Sequence, residues 1–132
     1  IVTADHGQVM VGTNTMPPHP EVMAMVAYQS GEGRFRWLHA RDGVQVELLA
    51  RATTHHSNVA WVASKEQVID ENWLGPRLGS ATRKRLGDVV LVPREPISFD
   101  DAADTGPFIL QCRHGALTDD ELDVPLLAMA VK

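Results

Sequence analysis

Metal-ligating side chains stand near both ends of this 132-residue sequence. Near one end, Asp5 and His6 follow the apolar run Ile1-Val2-Thr3. Near the other, His114 precedes Gly115. A carboxylate and an imidazole in sequence can converge on one ion at a strand-to-loop bend, although within a strand they would face opposite ways. The β-branched start predicts a buried parallel strand, and Gly7 the point where it leaves its sheet. Asp5 and His6 would then lie at the carboxyl end of a strand, where open α/β sheets place ligands. The residues alone allow a plainer alternative. Asp5 could cap a solvated turn with His6 as bystander, and His114 could be a satisfied histidine ahead of a turn.

The two stretches also carry a resemblance. Thr3-Ala4-Asp5-His6-Gly7 is similar to the T-A-D-H-G signature of the alkaline phosphatase superfamily, in its nucleotide pyrophosphatase and type I phosphodiesterase branch. The run His114-Gly115-Ala116-Leu117-Thr118-Asp119-Asp120-Glu121-Leu122-Asp123-Val124-Pro125-Leu126-Leu127 resembles the H-G-x-L-T-x-x-E-x-x-V-P-L-L run of the same family. The resemblance is specific at these two ends, which occur in the family's order with a long insert between them. It implies an α/β fold in which an α+β lobe is inserted near the end of an alkaline-phosphatase-like parallel sheet. It further implies hydrolysis of a phosphodiester or nucleotide substrate at two zinc ions. Asp5 and His6, with an upstream aspartate, would bind one zinc; His114, with an upstream aspartate and histidine, would bind the other. The threonine or serine nucleophile would precede Ile1, so the chain itself supplies no catalytic residue. With its ligands divided between two ions, the chain alone is expected to be catalytically silent and to bind zinc weakly if at all.

Composition narrows the alternatives. The length suits one domain, here residues 1–132 as the C-terminal part of a phosphodiesterase domain. A start at Ile with no basic leader predicts a piece of a longer protein. With 44% apolar residues but no apolar run near the ~20 needed for a membrane span, no membrane partner is expected. A net charge of −5 argues against stable nucleic-acid binding. The single Cys112 excludes an internal disulfide and, with no visible export signal, leans toward a reducing, cytoplasmic setting, while a composition rich in Ala, Val, Asp and Arg is compatible with a bacterial source. Without the rest of the sheet, the edges of Ile1-Val2 and of the closing strand should be bare, favouring self-association.

The intervening chain predicts what must hold the two ends. Prolines 17, 18 and 20 make residues 8–21 a loop. Residues 22–99 read as a small α+β lobe. It comprises a hairpin over Val22–Tyr28 and Phe35–His39, a helix from Asp42 to Thr53 lined by Val46, Leu49 and Ala50, and a strand at 58–63. A capping box Ser64/Gln67 then opens a brief helix, a basic turn spans Ser80–Leu86, and the strand Val89–Val92 follows. Residues 100–106 look mobile, Phe108–Cys112 forms a strand, Thr118/Glu121 forms a second capping box, and 124–131 returns to a sheet. His19, His39, His55 and His56 are not expected to be ligands, Arg83-Lys84-Arg85 is a solvated face, and the tryptophans belong to the core. A sibling activity (phosphomonoesterase, phosphonate hydrolase or sulfatase) shares the implied ligands. A non-catalytic interaction module, with the lobe docking a partner, is the alternative of another class.

Overall fold

A computed structural model describes residues 1–104 and 110–130 of the chain. Its first half runs β1 (Val2–Thr3), β2 (Val9–Met10), β3 (Thr15–Met16), α1 (Pro20–Met23), β4 (Val26–Glu32), β5 (Phe35–Ala40) and α2 (Gln45–His56). There follow β6 (Ala60–Ser64), α3 (Lys65–Asp70), α4 (Ser80–Arg83), β7 (Val89–Pro93), β8 (Ser98–Phe99), β9 (Cys112–Arg113), α5 (Asp119–Leu122) and β10 (Leu126–Leu127). The chain is thus of mixed α/β class.

Its centre is a four-stranded antiparallel sheet in the order β4-β5-β7-β6. The expected hairpin, helix and strands of the lobe are present, but the first hairpin strand is Val26–Glu32 rather than Val22–Tyr28, because Val22 and Met23 belong to the short helix α1 that begins at Pro20. Val89, Val90, Leu91 and Val92 are each at most 1% exposed, which explains why β7 is an unbroken apolar run rather than an alternating one: both of its faces are covered. On one face Leu38, Val89 and Leu91 pack with Leu48 and Ala52 of α2 and with Phe99. On the other, Trp37, Val90 and Val92 pack with Val68 of α3 and with Ala116, while Trp61 and Trp73 lie partly buried against them. The Arg83-Lys84-Arg85 face is solvent-exposed, as expected.

Several local expectations are corrected. α2 begins at Gln45, after a turn in which Gly43 takes φ +79°, so Asp42 does not cap it. Its buried face is Leu48, Ala52 and His56, one turn apart, whereas Val46 is 85% exposed and Ala50 is also exposed. Ser64 caps α3 through the Gln67 amide, at 3.1 Å, but the Gln67 side chain turns to Glu71 instead of completing the box. Residues 8–21 are not wholly loop, since they contribute β2, β3 and the start of α1.

The ends of the sequence meet in short ladders. β1 pairs with β10 antiparallel and β2 with β9 antiparallel, while β3 runs parallel to β8. The opening strand is therefore neither parallel nor buried: Val2 is 64% exposed and Ile1 91%. Leu126 and Leu127 of its partner are exposed as well, leaving the bare apolar edge that the sequence suggests. Asp101 and Asp104 close a turn, and the Asp104 carboxylate accepts from buried Arg36, so this part of the acidic run is anchored rather than mobile. Gly106, Phe108, Ile109 and Val131, on which expectations about the acidic run and two strands partly rest, lie outside the described residues.

Candidate metal centres

Two backbone features bring the two sequence motifs together. The Gly7 amide donates to the carbonyl of Glu121 at 2.9 Å. A Cβ on Gly7 would lie 2.0 Å from the Asp120 carbonyl oxygen, so only glycine permits this approach. Immediately before it, the His6 ring stacks on the His114 ring with centroids 3.6 Å apart and planes 12° from parallel. His6 Nδ1 donates to the Gly7 carbonyl at 2.8 Å, because a carbonyl can only accept. That bond leaves Nε2 as the ring's free donor atom for a ligand, the arrangement in which metal-bound imidazoles are commonly held. The Asp5 carboxylate stands 3.8 Å from this Nε2 and is 90% exposed.

The His114 loop is fixed by one buried ion pair. Arg34, in the two-residue turn between β4 and β5, donates through Nε and Nη2 to the two Glu121 carboxylate oxygens, each at 2.7 Å. The same carboxylate accepts from the Ala116 amide at 2.9 Å and from the Thr118 hydroxyl at 2.5 Å. Both charged side chains are at most 1% exposed. Burial alone would raise the Glu121 carboxyl, but the bonds from Arg34, Thr118 and Ala116, with the Arg34 charge, outweigh it and hold the group below its ordinary value. This replaces the second capping box: Thr118 occupies the N-cap position of α5, yet its hydroxyl bonds the Glu121 carboxylate rather than a backbone amide. Gly115, with φ +119°, makes the bend that places His114 on one side and buries Ala116 on the other.

The three residues singled out from sequence therefore lie in one region, with His6 and His114 in contact and Asp5 beside His6. Their ligand atoms do not form a tight group of three. Among the described residues, the one such group is elsewhere: donor atoms of His19, Glu21 and His55 all lie within 4.8 Å of one another. His19 N-caps α1, its Nδ1 accepting from the Glu21 amide at 3.2 Å. The His19 and His55 rings stack at 3.6 Å and 9°. The Glu21 carboxylate meets His55 Nε2 at 3.3 Å and Arg51 at 3.1 Å. Hydrogen bonding from His55 and the neighbouring positive charges lower the Glu21 carboxyl, against a smaller opposing effect of desolvation.

Sequence missed this group because its members come from the ends of two helices with no ligand spacing between them. His19-Pro20-Glu21 was the only local signal, and a histidine between prolines reads as loop. His56, 5% exposed, supports the group without belonging to it. Its Nε2 accepts from the His19 amide at 3.1 Å, and its ring packs edge-on against Phe99. Burial, with smaller contributions from His55 and His19, lowers its pKa to about 4. The chain matches no protein-family model, and no curated protein matches it at significance.

Proposed function

We propose that this chain is the C-terminal part of a two-zinc hydrolase acting on phosphodiesters or nucleotides. In this reading Asp5 and His6 serve one zinc, His114 serves the other, and the threonine or serine nucleophile and remaining ligands come from sequence preceding Ile1. The observation that carries it is the contact between the His6 and His114 rings, because two motifs from opposite ends of the sequence meet at their expected ligands. The donor set also suits the metal. Tetrahedral zinc, with bonds of about 2.0–2.1 Å, holds its donors roughly 3.4 Å apart, close to the 3.8 Å between the Asp5 carboxylate and His6 Nε2. Zinc ions at such a centre stabilise the attacking and leaving oxygens of an in-line displacement.

The chain's own residues set the geometry. The Gly7 carbonyl fixes the His6 tautomer, and the Arg34–Glu121 pair holds the His114 loop against the sheet. Exposed Val2, Leu126 and Leu127 favour a setting in which the β1–β10 ladder lies against further structure.

The test is hydrolysis of a chromogenic phosphodiester, beside the matching monoester, by the longer parent with zinc. Wild type is compared with Asp5→Ala and His114→Ala. A diester preference lost by orders of magnitude in both variants is the expected result. A monoester or sulfate-ester preference with the same sensitivity would reassign the substrate to a sibling chemistry. Turnover of no ester, or variants as active as wild type, would overturn the proposal and leave the interaction module in its place.

A further inference from the structure

We infer that His19, Glu21 and His55 form a separate binding site for a divalent transition-metal ion, of which zinc is the best match. None of these residues belongs to the centre proposed above, so the inference stands apart from that reading. Two imidazoles and one carboxylate are the ligand set of a three-coordinate protein site with a fourth position open to water or substrate. Nitrogen-rich sites of this kind favour zinc and its neighbours over magnesium or calcium, which prefer oxygen.

The scaffold is already in place. His19 is held by Pro18 and Pro20 on either side and by its amide's bond to buried His56, so its backbone needs no rearrangement. His55 lies in the last turn of the 12-residue helix α2, where the carbonyl end of the helix favours a cation. The 3.3 Å between His55 Nε2 and the Glu21 oxygen is already close to the roughly 3.4 Å separation of neighbouring tetrahedral zinc ligands.

Two adjustments complete the site. Parallel rings direct their lone pairs side by side, so each imidazole must turn about its Cβ–Cγ bond for the nitrogens to converge, a soft torsion that in His19 gives up the bond from the Glu21 amide. Arg51, which shares the Glu21 carboxylate and is half exposed, must yield its place to the ion. Its remaining partner, Glu47 one turn earlier on α2, keeps it paired when it does. His19 and His55 also border a cleft of about 370 Å³ lined by Met16, Pro17, Asn58 and Val59. A bound ion would join the N-terminus of α1 to the C-terminal end of α2.

The experiment is calorimetric titration of the 132-residue chain with Zn²⁺ alone, for wild type, His55→Ala, Glu21→Gln and the double variant His6→Ala/His114→Ala. Cobalt substitution, read through the visible bands of the four-coordinate ion, serves as a second readout. Both substituted side chains of this site are partly solvent-exposed, and far-ultraviolet circular dichroism establishes that each variant is folded. The expected result is a zinc equivalent whose affinity falls by at least about tenfold in His55→Ala and in Glu21→Gln, the scale on which even outer partners of a ligand act. The same equivalent persists in His6→Ala/His114→Ala. Unchanged binding in both His55→Ala and Glu21→Gln would overturn the inference. So would loss of all zinc and of the cobalt bands in the His6/His114 double variant alone, which would assign the metal to the other centre.

Discussion

Removing the guanidinium of Arg34 should unfold the His114 loop from the sheet. The pair it forms with Glu121 spans 87 positions of sequence and is inaccessible to water at both ends. In Arg34→Met the Glu121 carboxylate keeps only the Ala116 amide and the Thr118 hydroxyl, and a buried charge loses its counterion. Breaking such a pair from one side costs about 3–5 kcal/mol. With a urea dependence of roughly 2 kcal/mol per molar, the midpoint moves down by about 2 M. Tryptophan fluorescence reports the transition, since Trp37 is in the core against which Ala116 packs. Glu121→Leu should cost a comparable amount. The double variant, which strands no charge, should cost less than the two singles together by about 2 kcal/mol, well outside the ~0.5 kcal/mol error of additivity. Single variants within about 1 kcal/mol of wild type, or strictly additive costs, would refute the assignment of Glu121 as the anchor of the loop.

Other outcomes follow from the same geometry. Gly7→Ala forces a Cβ onto the Asp120 carbonyl, so denaturation should show a loss of about 2 kcal/mol or more, with no such loss for Gly79→Ser, where the space is open and the backbone is extended at φ −67°. His56 binds a proton more readily unfolded than folded. Stability should therefore fall as pH is lowered from about 6.5 toward 4, by up to roughly 3 kcal/mol, and urea titrations should show a shallower fall in His56→Gln. The Glu121 carboxyl, held below its ordinary value, should add a further loss at more acid pH that Glu121→Leu abolishes. Leu91→Ala, at a site with no exposed surface, should cost about 2–5 kcal/mol in the same assay, unlike Val46→Ala on the exposed face of α2.

The lobe was legible because its signals are local. The four consecutive apolar residues of β7, the glycine-closed hairpin and the Ser64 cap each determine their element with little help from the rest. The face of α2 was misassigned because Val46, Leu49 and Ala50 share helical spacing as well as Leu48, Ala52 and His56 do, and only the sheet beneath chooses the second set. Arg34 and Arg36 are charged side chains in a hairpin, a setting in which arginine ordinarily faces solvent. They are buried, because partners far along the chain, Glu121 and Asp104, neutralise them, and alternation within a strand carries no trace of such partners. The Asp5-His6 and His114 stretches could be paired from sequence by their resemblance, whereas the His19–Glu21–His55 group could not. Its proximity is created by the packing of α1 on the far end of α2, and neither helix announces the other.

The contact between His6 and His114 also has a history in time. The β4–β5 hairpin closes over a two-residue turn and forms on a microsecond scale, and β7 and β6 add to it, joined to each other through α3 and α4. The β1–β10 and β2–β9 ladders, of two residues each, must instead wait for a loop of nearly the whole chain to close. They should assemble last and open first, since their strands bury little apolar surface. Amide hydrogens of Thr3 and Leu127 should thus exchange through local opening, while those of Val90 and Leu91 exchange only when the whole molecule unfolds. Zinc ions held at His6 and at His114 would act on that local step, slowing exchange at the ladders and leaving the sheet's own rate unchanged.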